Sequence, residues 1–72
     1  MKQEVKNKIK EHRLEKGITQ EDLGKAVGVS RQSIIAIEKG QYIPSLPLAL
    51  RFAGFFNCKM EELFSLAEES NG

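Results

Sequence analysis

The sequence predicts an all-α fold in which five short helices pack into one compact domain. Gly17, Gly28 and Gly40 recur every eleven or twelve residues, and each follows a stretch with helical spacing of apolar residues. Glycine ends helices because it adopts the left-handed backbone conformation without steric cost. A chain of 72 residues is long enough for one small core. We therefore expect a single domain over 1–72, with its core at about 7–66 and a polar tail at 67–72.

Composition excludes several classes of protein. With 40% hydrophobic and 29% charged residues, the chain is typical of a soluble globule. The single Cys58 cannot form an intrachain disulfide or hold a zinc ion alone, which favours a reducing, cytoplasmic setting. The longest apolar run covers only residues 34–37, whereas a membrane helix needs about 20 residues. We expect no membrane span, no metal and no cofactor.

The net charge of +1 is distributed unevenly along the chain. Residues 1–41 carry nine basic and six acidic residues, a balance of +3, and residues 42–72 carry two and four, a balance of −2. The first half is the better surface for an anion, although an ordinary solvated surface explains the same asymmetry.

The first helix is predicted over about 4–16. Val5, Ile9 and the pair His12 and Arg13 repeat at helical spacing, with Lys and Glu between them. This pattern is typical of an amphipathic helix with one buried stripe.

The second and third helices have strong start signals. Thr19 is a suitable N-cap because its hydroxyl accepts a hydrogen bond from a free backbone N–H, and Ile18 can pack against Leu23. Ser30 repeats this arrangement before a third helix at about 31–39.

The fourth helix is predicted from Ser45 to about Phe56, with Pro47 tolerated in its first turn. The fifth covers about Met60 to Leu66. No segment shows the alternating pattern of a strand.

Residues 20–39 have the features of a helix-turn-helix. This motif requires a turn glycine, a small residue where the helices touch, and apolar residues facing inward. Gly28 provides the turn, and Gly24 places no side chain between its helix and Ile34. The inward-facing residues are expected to be Leu23, Val27, Val29, Ile34 and Ile37.

The sequence resembles the phage-repressor class of helix-turn-helix regulators, also called Xre- or Cro-like. The resemblance covers about 7–66 and rests on Arg13, the run from Lys16 to Leu23, the run from Gly28 to Ile34, the run from Ile37 to Gly40, and the run from Pro44 to Leu46. It implies a five-helix, lambda-repressor-like DNA-binding domain that usually binds as a two-fold dimer, with its third helix in the major groove.

The start of the third helix carries residues suited to reading bases. Arg31 can pair with guanine and Gln32 with adenine, and a recognition helix presents its N-terminal residues to base edges. Ser33 joins them, and the resemblance adds Ala36, one turn later. The alternative is an ordinary polar helix start. Ile35 lies on the outer flank, where it contacts sugar or packs under the following loop.

Two segments are predicted to hold phosphates. Free N–H groups at the start of the second helix favour an anion near Gln20, with Thr19 chiefly as the cap. The resemblance implies that the loop after Gly40 grips the DNA backbone, through Lys39, Gln41, Tyr42 and Ser45. The alternatives are loop packing for Tyr42 and a favourable helix-end charge for Lys39.

Arg13 and Glu38 are interpreted as a structural pair. Both lie beside apolar stripe positions, and the resembling family has a half-buried Arg–Glu pair that joins its first helix to the end of its third.

His12 and Cys58 depart from the family pattern. We interpret both as packing groups, with a metal or pH-switch role for His12 and redox sensing for Cys58 as the alternatives. Lys59 stands where a capping residue is expected, so the fifth helix has a weak start signal.

The fourth helix is apolar around much of its circumference. Leu46, Leu50, Ala53 and Phe56 have core spacing, which leaves other apolar residues for a partner. The candidate dimer patch consists of Leu48, Phe55, Asn57, Cys58 and Leu66. The alternative is a hydrophobic rim covered by the C-terminal segment.

No catalytic arrangement is found, so an enzyme is not expected. The chain has one histidine and no phosphate-binding loop, and its paired carboxylates are neighbours in sequence. We expect sequence-specific binding of double-stranded DNA by a small dimeric repressor at a pseudo-palindromic site. The alternative is a protein-binding adaptor or antitoxin-like module with the same fold.

Overall fold

A computed structural model of the chain describes residues 4–67. The elements in chain order are β1 (Val5–Asn7), α1 (Ile9–Lys16), α2 (Gln20–Val27), α3 (Arg31–Glu38), α4 (Leu46–Phe56), α5 (Met60–Leu63) and β2 (Phe64–Leu66). The five predicted helices are confirmed, and a two-stranded antiparallel sheet accompanies them. Apart from Ala67, the predicted polar tail at 67–72 lies outside the described residues.

The sheet corrects the predicted outer limits of the first and fifth helices. Val5 pairs with Leu66 and Asn7 with Phe64, and the Lys8 N–H donates to the Leu63 carbonyl at 2.9 Å. These pairings satisfy backbone groups that a longer helix end would expose. The strand pairs join residues that are 57 to 61 positions apart, so no local pattern in either segment indicates them.

The helix termini follow the predicted signals. Gly17, Gly28 and Gly40 have φ values of 69°, 84° and 79°, so each adopts the left-handed conformation at a helix end. Thr19 accepts a hydrogen bond from the Asp22 N–H at 3.0 Å, and Ser45 accepts one from the Leu48 N–H at 3.3 Å. These contacts confirm the predicted starts of α2 and α4.

At two other termini the sequence predicted the position but not the residue that forms the helix end. Asn57, with φ of 56°, ends α4, as asparagine sometimes does in place of glycine. At the weakly encoded start of α5, the Glu62 carboxylate accepts the Lys59 N–H at 3.0 Å. A glutamate at the third helical position therefore satisfies the backbone N–H of the N-cap residue, which is one of the two contacts of a capping box.

The core lies where α2, α3 and α4 meet, closed by α1 on one side and α5 on another. Its buried members are Ile9, Leu23, Val27, Ile34, Ile37, Leu48, Phe52, Ala53, Phe56 and Leu63. The predicted inward residues of the helix-turn-helix are buried, except Val29, which is partly buried and packs against the core.

The predicted core face of α4 is wrong in its first half. Leu46 and Leu50 are 64% and 53% exposed, whereas Leu48 is 4% exposed and Phe52 is completely buried. Leu48 therefore cannot belong to a surface dimer patch. Nearly every position of this helix is apolar, so its own periodicity did not determine which face the other helices cover.

Gly24 permits a close approach that any side chain would prevent. A Cβ atom at this position would lie 2.6 Å from the Val29 carbonyl oxygen and 3.4 Å from Ser30 backbone atoms. Close packing is thus the reason for this glycine. The sequence indicated Ile34 as the neighbour, but the structure places the turn backbone there.

Gly24→Ala is expected to lower the free energy of unfolding by about 1–3 kcal/mol because backbone must move to admit the methyl group. This overpacking outweighs the gain in helix propensity, about 1 kcal/mol. Gly54→Ala is the matched control, since among residues 4–67 no atom outside its own helix backbone and its chain neighbours lies within 4 Å of a Cβ atom there. It should stabilise the protein by about 0.5–1 kcal/mol. Urea unfolding measures both, and shifts of the same sign would contradict the packing account.

Candidate nucleic-acid interface

The turn between α2 and α3 fixes the direction of α3. Gly28 and Val29 both donate their N–H groups to the Gly24 carbonyl, at 2.8 and 2.9 Å. Beneath the turn, Leu23 and Ile34 are completely buried. The inner side of α3 is therefore held against α2, and its other side remains available.

The outer side of α3 begins with two exposed residues, Arg31 and Gln32. Arg31 and Gln32 make no side-chain hydrogen bond or ion pair with any residue among 4–67. Ser33 is half-buried, and both its N–H and its hydroxyl contact the hydroxyl of Ser30, at 3.1 and 3.2 Å. Ala36 is also half-buried. Arg31 and Gln32 are thus the free polar groups of this surface, while Ser33 also belongs to the helix cap.

Ile35 is partly buried on the flank of α3.

The N-terminus of α2 is partly occupied by its own side chains. Asp22 accepts the Thr19 N–H at 3.1 Å in return for the hydrogen bond that Thr19 accepts from Asp22. This backbone hydrogen bond, followed by the bond to the Thr19 side chain, lowers the pKa of Asp22 below its usual value. The backbone N–H groups of Gln20 and Glu21 have no acceptor within residues 4–67. These two groups remain for an external anion.

The loop after α3 forms the second predicted phosphate segment. Gly40 donates to the Ile37 carbonyl at 3.0 Å, and Gln41 donates to the Ala36 carbonyl at 2.9 Å, which ends α3 in a Schellman arrangement. Lys39, Gln41 and Tyr42 are exposed. Ser45 is exposed as well, but its hydroxyl caps α4.

Arg13 and Glu38 form a direct ion pair. The Arg13 Nε atom lies 2.7 Å from Glu38 Oε2, and the two side chains are 10% and 5% exposed. Gln20 also contacts this pair, because its Nε2 atom donates to Glu38 Oε1 at 3.1 Å. The first helical residue of α2 is therefore tied to the last residue of α3.

Two residues that the sequence analysis missed also position the motif. Asn7 donates from Nδ2 to the Ile37 carbonyl at 2.8 Å and accepts the Ile9 N–H at 3.0 Å. Arg51 donates to the Val27 carbonyl at 3.3 Å. A polar side chain that satisfies helix-end carbonyls is a common arrangement, but contacts across 24 and 30 positions have no local sequence signal.

The packing interpretation of His12 and Cys58 agrees with their surroundings. The His12 ring lies 5.4 Å from the Phe56 ring, and its Nδ1 atom contacts the Lys8 carbonyl at 2.9 Å. Cys58 is partly buried against the core, and burial raises the pKa of its thiol. Within residues 4–67, no three His, Cys, Asp or Glu side chains are grouped to hold a metal ion.

The remaining members of the candidate dimer patch have different environments. Phe55 is partly buried, with the Lys16 ammonium 5.2 Å from its ring centroid. Asn57 is exposed at the end of α4, and Leu66 is exposed in β2. No helix in the described part of the chain has the length and hydropathy needed to cross a bilayer.

A helix-turn-helix family model matches residues 9–63, which include all five helices. The chain belongs to the helix-turn-helix family. The phage-repressor resemblance seen in the sequence is thereby confirmed, and the matched span includes Arg13, Glu38 and every predicted base-reading residue.

Two relatives match this helix-turn-helix protein over most of its length. The chain is 54% identical over 66 residues to YgzD, an uncharacterized HTH-type transcriptional regulator of Bacillus subtilis, covering 92% of this chain and 100% of YgzD. It is 32% identical over 62 residues to the CTXphi transcriptional repressor RstR of Vibrio cholerae, covering 86% of this chain and 56% of RstR.

A solved helix-turn-helix structure supports the same architecture. The restriction-modification controller protein C.AhdI of Aeromonas hydrophila superposes with a TM-score of 0.69 at 31% identity, covering 75% of this chain and 78% of that one.

Proposed function

We propose that this helix-turn-helix protein is a transcriptional regulator that binds double-stranded DNA sequence-specifically, as a dimeric repressor. The observation that carries the proposal is the pair Arg31 and Gln32, which are exposed at the start of α3 and have no partner among residues 4–67. The α3 helix is locked from behind by buried Ile34 and Ile37. A recognition helix needs this combination of a fixed backbone and free polar tips.

The chemistry of these tips suits the major groove. An arginine guanidinium donates two parallel hydrogen bonds to guanine O6 and N7, and a glutamine amide matches adenine N6 and N7. Ser33 and Ala36 lie on the same helix and take smaller roles, a hydroxyl contact and apolar contact with a thymine methyl. We assign base reading to these four residues, with Arg31 and Gln32 dominant.

Phosphates are assigned to the two segments beside α3. At α2, free N–H groups and the amide of Gln20 receive one phosphate, with Thr19 holding the helix start in shape. After α3, Lys39, Gln41, Tyr42 and Ser45 line the second contact. These contacts set the register of the protein on DNA and leave sequence preference to α3.

The repressor role is supported by one relative. RstR is named a transcriptional repressor, and it aligns over 62 residues. A two-fold dimer predicts two half-sites about one helical turn apart, at 10–10.5 base pairs. Such a dimer represses by occluding a promoter. Sedimentation at micromolar concentration tests this part, and a monomer both free and on DNA would contradict it.

The proposal is tested on sites selected from random duplexes. Specific binding should exceed binding to random DNA by about 10³-fold or more, and log K should fall linearly with log salt. If affinity for every duplex is weaker than about 10⁻⁴ M at physiological salt, the proposal fails.

Arg31→Ala and Gln32→Ala are each expected to weaken binding to the selected site by about 1–3 kcal/mol, or roughly 5- to 150-fold, and to relax the preference at one base position. Lys10→Ala, on an exposed residue of α1, controls for loss of a positive charge. It should change affinity little and leave the sequence preference intact. Fluorescence anisotropy on selected and single-mismatch duplexes measures both effects. An unchanged base preference in both α3 variants would remove these residues from base reading.

One observation favours the protein-binding alternative. Four exposed apolar residues, Tyr42, Ile43, Leu46 and Leu50, lie within nine positions of the chain. An adaptor or antitoxin-like module would use such a surface to capture a protein partner. In that case affinity for every duplex stays weak, and Arg31→Ala leaves partner binding unchanged.

A further inference from the structure

A hydrogen-bond network extends from the internal ion pair to the first residue of α2. The Glu38 carboxylate accepts from Arg13 Nε at 2.7 Å and from Arg13 Nη2 at 3.3 Å. The Gln20 Nε2 atom donates to the same carboxylate at 3.1 Å, and Arg13 Nη1 donates to the Ile18 carbonyl at 3.0 Å. One carboxylate thus connects α1, the start of α2 and the end of α3.

Because the Glu38 carboxylate is buried, it depends on each of the hydrogen bonds that this network donates to it. The Glu38 side chain is only 5% exposed, so water cannot replace a missing hydrogen bond easily. Arg13 supplies two of the donors, and Gln20 supplies the third. The Gln20 amide is therefore held in one place before any ligand arrives.

The Gln20 amide retains hydrogen-bonding capacity beyond this network. Its nitrogen carries two N–H groups, of which Glu38 takes one. Its oxygen has no partner, yet no buried side-chain polar atom in residues 4–67 is unpartnered, so this oxygen reaches solvent. The amide stands at the helix start, where the backbone N–H groups of Gln20 and Glu21 have no acceptor in the part of the chain that the structure describes. A restrained polar group therefore lies beside free donors.

We propose that Glu38 is a positioning residue of the DNA site, which holds the Gln20 amide so that its second N–H meets a phosphate. The proposal rests on the DNA-binding function proposed above. A free glutamine side chain would have to be ordered on binding, and the restraint removes that cost in advance. Because Glu38 is also the last residue of α3, it fixes this phosphate contact relative to the base-reading helix.

Glu38→Gln separates positioning from simple electrostatics. The substitution removes a negative charge near the proposed phosphate and leaves the Arg13 charge unpaired. Both changes favour a polyanion, so charge alone predicts tighter DNA binding. The substituted amide has one acceptor oxygen where the carboxylate has two, so Arg13 and Gln20 compete for it and the Gln20 amide is held less firmly. Loss of positioning therefore predicts weaker binding. The two accounts therefore differ in sign.

The experiment is a double-mutant cycle on the site selected by the wild-type protein. Affinity is measured at one salt concentration for the wild type, Glu38→Gln, Gln20→Ala and the double variant, each shown to be folded by circular dichroism. Glu38→Gln should weaken binding about three- to tenfold when Gln20 is present. In the Gln20→Ala background it should leave affinity unchanged or raise it. Equal weakening in both backgrounds, or tightening in both, overturns the proposal.

A second measurement addresses the free protein. Nitrogen-15 relaxation should show the Gln20 side-chain amide rigid in the wild type and mobile in Glu38→Gln. If that variant does not fold, Glu38→Asp takes its place, because it keeps the charge while withdrawing the carboxylate by one methylene. An amide equally rigid in the folded variant overturns the proposal. A wild type that binds no duplex overturns the proposed function as well, and this is seen before any variant is compared.

Discussion

Glu38→Ala is expected to lower the free energy of unfolding by about 3–5 kcal/mol, because it strands the Arg13 charge inside the protein. The partners are 10% and 5% exposed, so water does not solvate the lone guanidinium as it would at the surface. A single core of this size usually supplies only about 3–5 kcal/mol, so the variant should be largely unfolded at 37 °C. Thermal melts and urea titrations followed by circular dichroism measure the loss.

Glu21→Ala is the matched control for this prediction. The Glu21 Oε2 atom lies 3.9 Å from Lys25 Nζ, and the side chains of Glu21 and Lys25 are 65% and 77% exposed. Removing an exposed partner of this kind should change stability by no more than about 0.5 kcal/mol. A Glu38→Ala protein within 1 kcal/mol of this control would show that the internal pair is solvated.

A double replacement identifies the source of the loss. If the unpaired charge is responsible, Arg13→Met combined with Glu38→Met should recover much of the stability, because apolar groups of similar volume replace both charges. If instead the geometry of the hydrogen bonds holds the helices together, the double variant should be no better than Glu38→Ala. The wild-type pair should also respond weakly to salt, since buried charges are poorly screened.

Local sequence signals correctly predicted most helix ends, but they did not predict the strands near the two ends of the chain. Thr19 and Gly28 act on backbone groups within four residues, so their effect is visible in a short window. The pairing of Val5 with Leu66 depends on the whole fold bringing two distant segments together. For the same reason, the contacts of Asn7 with Ile37 and of Arg51 with Val27 were not predicted.

In the candidate site too, local features were predicted from the sequence, whereas a contact between helices was not. That Arg31 and Gln32 begin α3 follows from the cap at Ser30, whose hydroxyl accepts the Ser33 N–H at 3.1 Å. The sequence placed Gln20 at a helix start but did not indicate its bond to Glu38. That bond needs the crossing of α2 and α3, which depends on how closely Gly24 approaches the turn.

The second large effect on stability is expected in α4. The hydrophobic pattern of this helix fits two different rotations about its axis, so a pair of substitutions is needed to tell which face is buried. With Leu48 buried, Leu48→Ala should cost about 2–5 kcal/mol from lost burial and the resulting cavity. Leu46→Ala, two positions away and 64% exposed, should cost no more than about 0.5 kcal/mol. Urea unfolding of the two variants compares the same chemical change on the two faces. A larger loss for Leu46→Ala would contradict the burial of Leu48 and favour the helix rotation that spacing alone predicted. If Leu48→Ala costs more than Leu46→Ala, as expected, any partner contact on α4 is confined to Leu46, Leu50 and the residues at the C-terminal end of the helix.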